Sequence, residues 1–206
     1  MNKLNNYYSL YGKRILDTVL SLLGLLCLLP FFFLIVILIK LDSKGPVFFS
    51  QIRVGENGKL FKIYKFRTMC RHAEKMKVFL QEKNEMGRCQ FKIKDDPRIT
   101  VVGKYLRRSS VDELPQLWNV LKGDMSLVGP RPALQEEVLE YSDIEKERLK
   151  VKPGCSGLWQ VSGRNHLTFD SMIELDMKYI ENINLKNDLV IIFKTVKIML
   201  TGYGAY

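Results

Sequence analysis

A run of 22 uncharged and mostly apolar residues, Thr18 to Ile39, constrains this chain more than any other feature of its sequence. At ~1.5 Å per residue, a helix of this length would reach across the ~30 Å hydrocarbon core of a bilayer. Pro30 lies near the middle of the run. Because proline lacks an amide N–H and clashes with the preceding turn, the sequence predicts a kink or a break in the helix there.

Basic residues flank both ends of the run, with Lys13 and Arg14 before it and Lys40 and Lys44 after it. Since Lys and Arg are concentrated on the cytoplasmic side of membrane segments, a re-entrant helix that turns at Pro30 accounts for both flanks. Two alternatives remain open: a kinked helix that crosses the membrane, and a buried helix of a soluble domain. A signal peptide is disfavoured, because the run is long and no small-residue cleavage site follows it.

The rest of the chain is long enough for one modest domain. We therefore expect residues 1–44 to form an interfacial lead-in and membrane helix, and residues 45–206 to form a cytoplasmic domain. The net charge of +10 and the pI of about 9.4 are compatible with nucleic acid, anionic lipid or a phosphorylated substrate as partner. The four cysteines contain no CxxC pair and only two histidines accompany them, so no structural zinc site is predicted.

Hydrophobic periodicity predicts an α+β fold that is mainly helical, with one small β-hairpin. Aromatic and β-branched runs over 47–54 and 59–66 flank Gly55–Gly58, which is typical of a hairpin. The last predicted helix is amphipathic, and its apolar stripe suits either the core or the membrane interface. The helices are expected over 70–86, 101–108, 111–122, 133–149, 169–179 and 188–200.

The densest polar stretch runs from Arg107 to Gln116 and contains the adjacent carboxylates Asp112 and Glu113. One interpretation is structural: Ser110 and Glu113 have the spacing of a capping box at a helix N-terminus. The other starts the helix at Pro115, since proline is preferred at the first helical position. Both carboxylates would then precede the positive end of a helix.

Under the second interpretation the local charges suit phosphate chemistry. An ionised Asp112 beside Arg107 and Arg108 could attack phosphorus and could also bind Mg²⁺, a cation that prefers oxygen ligands. Local spacing leaves capping and catalysis both open. Arginine's planar fork matches phosphate oxygens, and a shared loop setting suggests a common site for a ligand with more than one phosphate. The loop arginines are Arg67, Arg98, Arg131 and Arg164.

Five stretches in this order resemble the bacterial sugar transferases, the monotopic phosphoglycosyl transferases that start polysaccharide and glycan assembly on a polyprenyl carrier. The most specific stretch runs from Leu106 to Pro132 and includes the Asp112–Glu113 pair. The resemblance covers about residues 10–206. The other four stretches are Gly45–Gly55, Lys65–Met69, Asp95–Thr100 and Lys152–Asn165.

The resemblance implies that Asp112 is a nucleophile that attacks the sugar-bearing phosphate of a UDP-sugar. UMP would leave, and a covalent phosphosugar intermediate would pass to undecaprenyl phosphate. Mg²⁺ would be required and bound at Asp112, and Glu113 would take part in the same chemistry. The resemblance also implies that Arg107, Arg131 and Arg164 lie near the phosphates. Arg67 is a further candidate phosphate ligand, but only because it lies in a loop like the others.

The resemblance further implies a re-entrant helix that turns at Pro30 and a catalytic domain on the cytoplasmic face of the bacterial inner membrane. The C-terminal residues 197–206 are more similar to those of hexose-transferring members, so UDP-galactose or UDP-glucose is the expected donor, ahead of UDP-N-acetylhexosamines. Membrane lipid is an expected partner and nucleic acid is not; a homodimer is left open. The rival hypotheses are a membrane-tethered basic binding module for anionic lipid or nucleic acid, and a membrane-spanning scaffold protein.

Overall fold

The computed structural model describes residues 7–80, 93, 95–163 and 167–201. Within them the fold is mainly helical, as predicted, and it contains two small sheets. Short 3₁₀ segments lie at Glu56–Gly58, Val111–Glu113 and Glu147–Lys150, and a π-helical turn at Tyr8–Gly12. The elements are α1 (Lys13–Asp42), β1 (Phe48–Val54), β2 (Leu60–Phe66), α2 (Ala73–Phe79), α3 (Val101–Arg108), α4 (Gln116–Lys122), β3 (Ser126–Val128), α5 (Gln135–Leu139), α6 (Asp143–Lys146), β4 (Gly154–Ser156), α7 (Phe169–Glu181) and α8 (Leu185–Thr201).

The predicted β-hairpin is confirmed. Strands β1 and β2 pair antiparallel, with Phe48 opposite Phe66 and Val54 opposite Leu60. The turn between them places Asn57 at φ 54° and Gly58 at φ 77°, a left-handed conformation that these two residue types tolerate well. Most of the buried side chains of the hairpin belong to β2, including Phe61, Ile63 and Phe66. Their packing in the core fixes the position of the segment that follows β2.

A second sheet was not predicted. Strands β3 and β4 pair parallel, with Ser126 opposite Gly154 and Val128 opposite Ser156. A Cβ atom at Gly154 would lie 2.1 Å from the backbone nitrogen of Gly129, so only glycine permits this close approach. Strands of three residues are too short to produce a periodic hydrophobic signal.

Several predicted helices agree with the structure. Helix α3 has the predicted bounds. The helix predicted over 111–122 is observed as a 3₁₀ turn, Val111–Glu113, followed by α4, which begins after Pro115 and ends before Gly123, whose φ is 93°. The predicted helix over 133–149 is instead divided into α5, α6 and a 3₁₀ segment. The helix predicted over 70–86 is observed as α2, and residues 81–86 lie outside the described part of the chain.

The last helix, α8, has both a buried and an exposed side. Asp188 and Ile191 are buried, whereas Phe193, Val196 and Leu200 of the predicted stripe are exposed. Ile191 packs with Val128 and Tyr179 in one core cluster. Helix α8 therefore contributes to the core mainly through residues outside the predicted apolar stripe. Contact between the exposed stripe residues and lipid stays a prediction.

Helix α1 continues from Lys13 to Asp42 with Pro30 inside it. The helix is therefore not interrupted at Pro30, and the kink that was predicted as the alternative to a break stays a prediction. Pro30 removes one amide donor, the one that would bond the carbonyl of Leu26, and the helix proceeds beyond it. Among the described residues α1 is also the one helix long and apolar enough to cross a membrane. The re-entrant topology remains a prediction.

The first turns of α1 are bound to the domain by charged side chains. Arg14 donates from Nη1 and Nη2 to the carbonyls of Val120 and Leu121, at 2.6 and 2.8 Å, at the end of α4. The buried Asp17 accepts a hydrogen bond from the backbone N–H of Leu127 at 3.0 Å. These contacts tie α1 to α4 and β3.

The far end of α1 contacts the same domain. Ile35 and Ile39 are buried against Phe66 and Leu106, and Asp42 accepts from the N–H of Val102 at 3.0 Å. Both ends of a helix ~45 Å long by its residue count are thus in contact with one folded body.

Candidate active site

The backbone around Asp112 turns sharply between two helices. Helix α3 ends at Arg108, and Ser110 adopts a left-handed conformation with φ 55°. A 3₁₀ turn, Val111–Glu113, then leads to Pro115 at the start of α4. The Ser110 side chain makes no capping hydrogen bond, so the capping-box interpretation is wrong and the helix start at Pro115 is confirmed.

Asp112 lies almost buried in this turn, with 8% of its surface exposed. Burial, followed by the negative charge of Glu113, raises the pKa of the Asp112 carboxyl to about 6. Lys65 and Arg107 act in the opposite direction, since cations favour the ionised form. The carboxylate therefore lies in a poorly solvated position whose compensating charges come from β2 and α3.

Glu113 points toward Lys65 on β2, and its Oε1 accepts a hydrogen bond from Lys65 Nζ at 2.5 Å. Both side chains are partly exposed. Sequence reasoning did not propose Lys65 as a site residue, because it is 48 positions from Glu113. The sequence signal that could have identified Lys65 was its place at the start of Lys65–Met69, one of the five stretches that resemble the sugar transferases.

Arg107 approaches the same turn from the end of α3. Its Nε donates to Thr68 Oγ1 at 2.8 Å, which fixes the side chain against the segment after β2. Burial lowers the pKa of the Arg107 guanidinium, and Asp112 is the largest opposing influence. The structure therefore brings the predicted residues Arg107, Asp112 and Glu113 together.

Arg131 lies in the loop after β3 and pairs with Glu137, whose two oxygens both lie 3.2 Å from Arg131 Nη1. A second arginine, Arg53 of β1, is close enough that burial and then Arg131 lower the pKa of its guanidinium to about 10. Glu137 and Glu113 oppose that lowering. Arg53 was not proposed as a site residue from sequence, although the Gly45–Gly55 stretch contains it.

The remaining predicted arginines differ in their surroundings. Arg67 is buried, and its terminal nitrogens donate to the carbonyls of Ser43 and Lys44, which follow α1. Arg98 forms a buried ion pair with Asp96 at 2.6 Å. Arg164 lies outside the described residues. The phosphate-binding role predicted for Arg67 stays a prediction, but its N–H donors already stabilise the loop after α1.

The carboxylate of Asp112 could bind Mg²⁺ without a cage of protein ligands. Within the described part of the chain, no cluster of three or more His, Cys, Asp and Glu side chains could form a metal cage. Mg²⁺ does not need one, since it is commonly bound by one or two carboxylates together with substrate phosphates and water. Asp112 is the predicted ligand, and its oxygen donors fit such a site.

Comparison with known proteins gives one family and several close relatives. Residues 8–202 match the model of the bacterial sugar transferase family. The galactosyl transferase CpsE of Streptococcus agalactiae serotype III is 48% identical over 98% of this chain and 45% of its own length. The undecaprenyl-phosphate galactose phosphotransferase of Salmonella typhimurium is 44% identical over 100% of this chain and 44% of its own length.

A shorter relative is covered nearly completely. The exopolysaccharide production protein ExoY of Sinorhizobium fredii is 40% identical over 95% of this chain and 88% of its own length. The chain thus spans about half the length of the first two relatives and most of the third. With the family model matched over residues 8–202, the chain belongs to the bacterial sugar transferase family.

Proposed function

We propose that this protein transfers a sugar 1-phosphate from a UDP-sugar to undecaprenyl phosphate through a covalent intermediate on Asp112. The observation that carries the proposal is the nearly buried Asp112 carboxylate, with Lys65 and Arg107 as its compensating cations. The Salmonella typhimurium relative, which aligns with 100% of this chain, is named an undecaprenyl-phosphate galactose phosphotransferase.

In the first step, an oxygen of Asp112 attacks the sugar-bearing phosphorus of the UDP-sugar. The bond from that phosphorus to the bridging oxygen breaks, and UMP leaves with the electron pair. The product is an aspartyl phosphodiester that carries the sugar. Arg107 and Arg131 would bind the oxygens of the diphosphate, because guanidinium groups make two-point contacts with phosphate.

In the second step, a phosphate oxygen of undecaprenyl phosphate attacks the same phosphorus. The bond to Asp112 breaks, the carboxylate is restored, and the sugar is left on a polyprenyl diphosphate. Glu113, held by Lys65, can exchange a proton with the leaving or attacking phosphate. When bound at Asp112, Mg²⁺ would neutralise charge on the diphosphate and on the leaving UMP.

The architecture supports a one-sided attachment to the membrane. Both ends of α1 contact the same domain, whereas a straight crossing would separate them by the thickness of the bilayer. Most of the helix surface between these ends is exposed and apolar, including Leu26, Leu29 and Phe33. We propose a re-entrant helix with the catalytic domain on the cytoplasmic face, where the UDP-sugar is available and the lipid phosphate lies at headgroup height.

The test of this function is UMP release by the purified full chain with undecaprenyl phosphate, Mg²⁺ and a panel of UDP-sugars. We expect turnover with UDP-galactose or UDP-glucose and slower or no turnover with UDP-N-acetylhexosamines. Preference for an N-acetylhexosamine would change the proposed sugar only. Absence of UMP with every donor would contradict the reaction and favour the membrane-tethered binding module.

The raised pKa of Asp112 predicts how the first step depends on pH. A nucleophilic carboxylate must be ionised, so UMP release should fall about tenfold per pH unit below the pKa of about 6. Because a bound cation favours the ionised form, higher Mg²⁺ should move this decline to lower pH. Initial rates between pH 4.5 and 8 at two Mg²⁺ concentrations measure both effects. A pH-independent rate down to 4.5 at low Mg²⁺ would contradict the assignment.

A further inference from the structure

The loop that carries Arg131 is held at four successive backbone carbonyls. The carbonyl of Pro130 accepts from the N–H of Gly154 at 2.8 Å, and that of Ala133 accepts from the N–H of Val54 at 2.9 Å. Between them, the carbonyl of Pro132 accepts from Arg53 Nη1 at 3.1 Å. Residues on both sides of Arg131 are therefore fixed, which leaves little freedom for its own backbone.

The fourth carbonyl, that of Arg131 itself, accepts from Arg148 Nη2 at 3.3 Å. Arg148 is fully buried and is fixed by Tyr141 and by an ion pair with Asp176. The hydrogen bonds thus come from β4, β1 and the 3₁₀ segment after α6. A loop held from three separate elements is pre-organised before any ligand arrives.

The side chain of Arg131 is fixed as well. Its partner Glu137 is 4% exposed and lies in the first turn of α5. One oxygen of Glu137 also accepts from the backbone N–H of Leu134 at 2.8 Å, which holds the carboxylate in place. Within the described part of the chain, both side-chain hydrogen bonds of Arg131 are made by Nη1. Nε and Nη2 are therefore available to a ligand.

We propose that Glu137 is a positioning residue that orients the Arg131 guanidinium toward the diphosphate of the donor. The inference rests on the proposed function and adds a residue to it. Glu137 faces inward and touches no substrate; it acts through Arg131. The neighbouring Arg53, whose Nη1 and Nη2 donate to Pro132 and Gln51, supplies a second positive charge beside Arg131.

The direct test is Glu137→Gln, which keeps the size of the side chain and one acceptor for Leu134 but removes the charge. Loss of a charge-assisted hydrogen bond should lower kcat/KM for the UDP-sugar by about tenfold. Glu136→Gln is the matched control: it makes the same charge change one residue away on an exposed side chain. We expect wild-type kcat/KM for Glu136→Gln and similar thermal unfolding for all three proteins.

A double-mutant cycle with Arg131→Gln separates positioning from general stability. If Glu137 acts through Arg131, adding Glu137→Gln to Arg131→Gln should change kcat/KM by less than about twofold. An equal loss in both backgrounds, or no loss in Glu137→Gln alone, would overturn the inference. In both of those outcomes the wild type still releases UMP, whereas failure of the proposed function would leave the wild type without turnover.

Discussion

Replacing Asp112 by Asn should abolish UMP release, with a loss of at least roughly four orders of magnitude in kcat. An amide has the shape of the carboxylate but cannot attack phosphorus or form the acyl phosphate. Intact-mass analysis of the wild type mixed with UDP-sugar and Mg²⁺, but without undecaprenyl phosphate, should reveal an adduct with the mass of the sugar phosphate. The same measurement on Asp112→Asn should give no adduct.

The controls follow from the surroundings of Asp112. Since burial disfavours its charged form, Asp112→Asn should be at least as stable as the wild type and should remain bound to the membrane. Asp143→Asn makes the same charge change on a fully exposed side chain and should keep wild-type activity. Retained turnover or a persistent adduct in Asp112→Asn would exclude Asp112 as the nucleophile.

Replacing Arg107 by Gln should lower kcat/KM for UMP release by roughly 100- to 1,000-fold, the usual cost of removing a donor aimed at developing charge. Two effects act in the same direction. The diphosphate loses a guanidinium contact, and Asp112 loses a cation that lowers its pKa. The decline in rate at low pH should therefore begin at a higher pH in Arg107→Gln than in the wild type.

Two further variants make the Arg107 result specific. Arg107→Lys keeps the charge but loses the planar fork, so we expect an intermediate rate and a nearly normal pH profile. Arg108→Gln changes the exposed neighbour on α3 and should leave the kinetics unchanged. If Arg108→Gln lost as much activity as Arg107→Gln, general charge rather than the position of Arg107 would be responsible.

Local sequence patterns were sufficient for the elements that they encode directly. The hairpin around Gly55–Gly58 and the stop of α4 at Gly123 depend on turn chemistry within a few residues. The pairing of β3 with β4 could not be read in the same way, because it joins short strands about 28 residues apart in sequence. The division of the helix predicted over 133–149 was also missed: Ser142 starts a new capped turn there.

The residues of the candidate site also fall into those that are close in sequence and those that only tertiary packing brings together. Asp112, Glu113 and Arg107 lie within one short stretch, so their clustering was predictable from the sequence. Lys65 and Arg53 join them only through tertiary packing of the hairpin, and spacing along the chain gives no sign of that. Arg67 was proposed from the sequence as a phosphate ligand, but in the structure it donates to backbone carbonyls. A loop arginine with this structural role has the same local sequence setting as one that binds an anion.

The contacts of α1 have a practical consequence for anyone who wishes to work with a water-soluble version of this protein. Deleting the first 44 residues would uncover Phe66 and Leu106 and deprive the N–H groups of Val102 and Leu127 of their acceptors. The apolar helix α1 is therefore a structural part of the domain that carries Asp112 and cannot be treated as a removable tether. A soluble derivative would need redesigned surfaces at both docking points, in addition to a shortened chain.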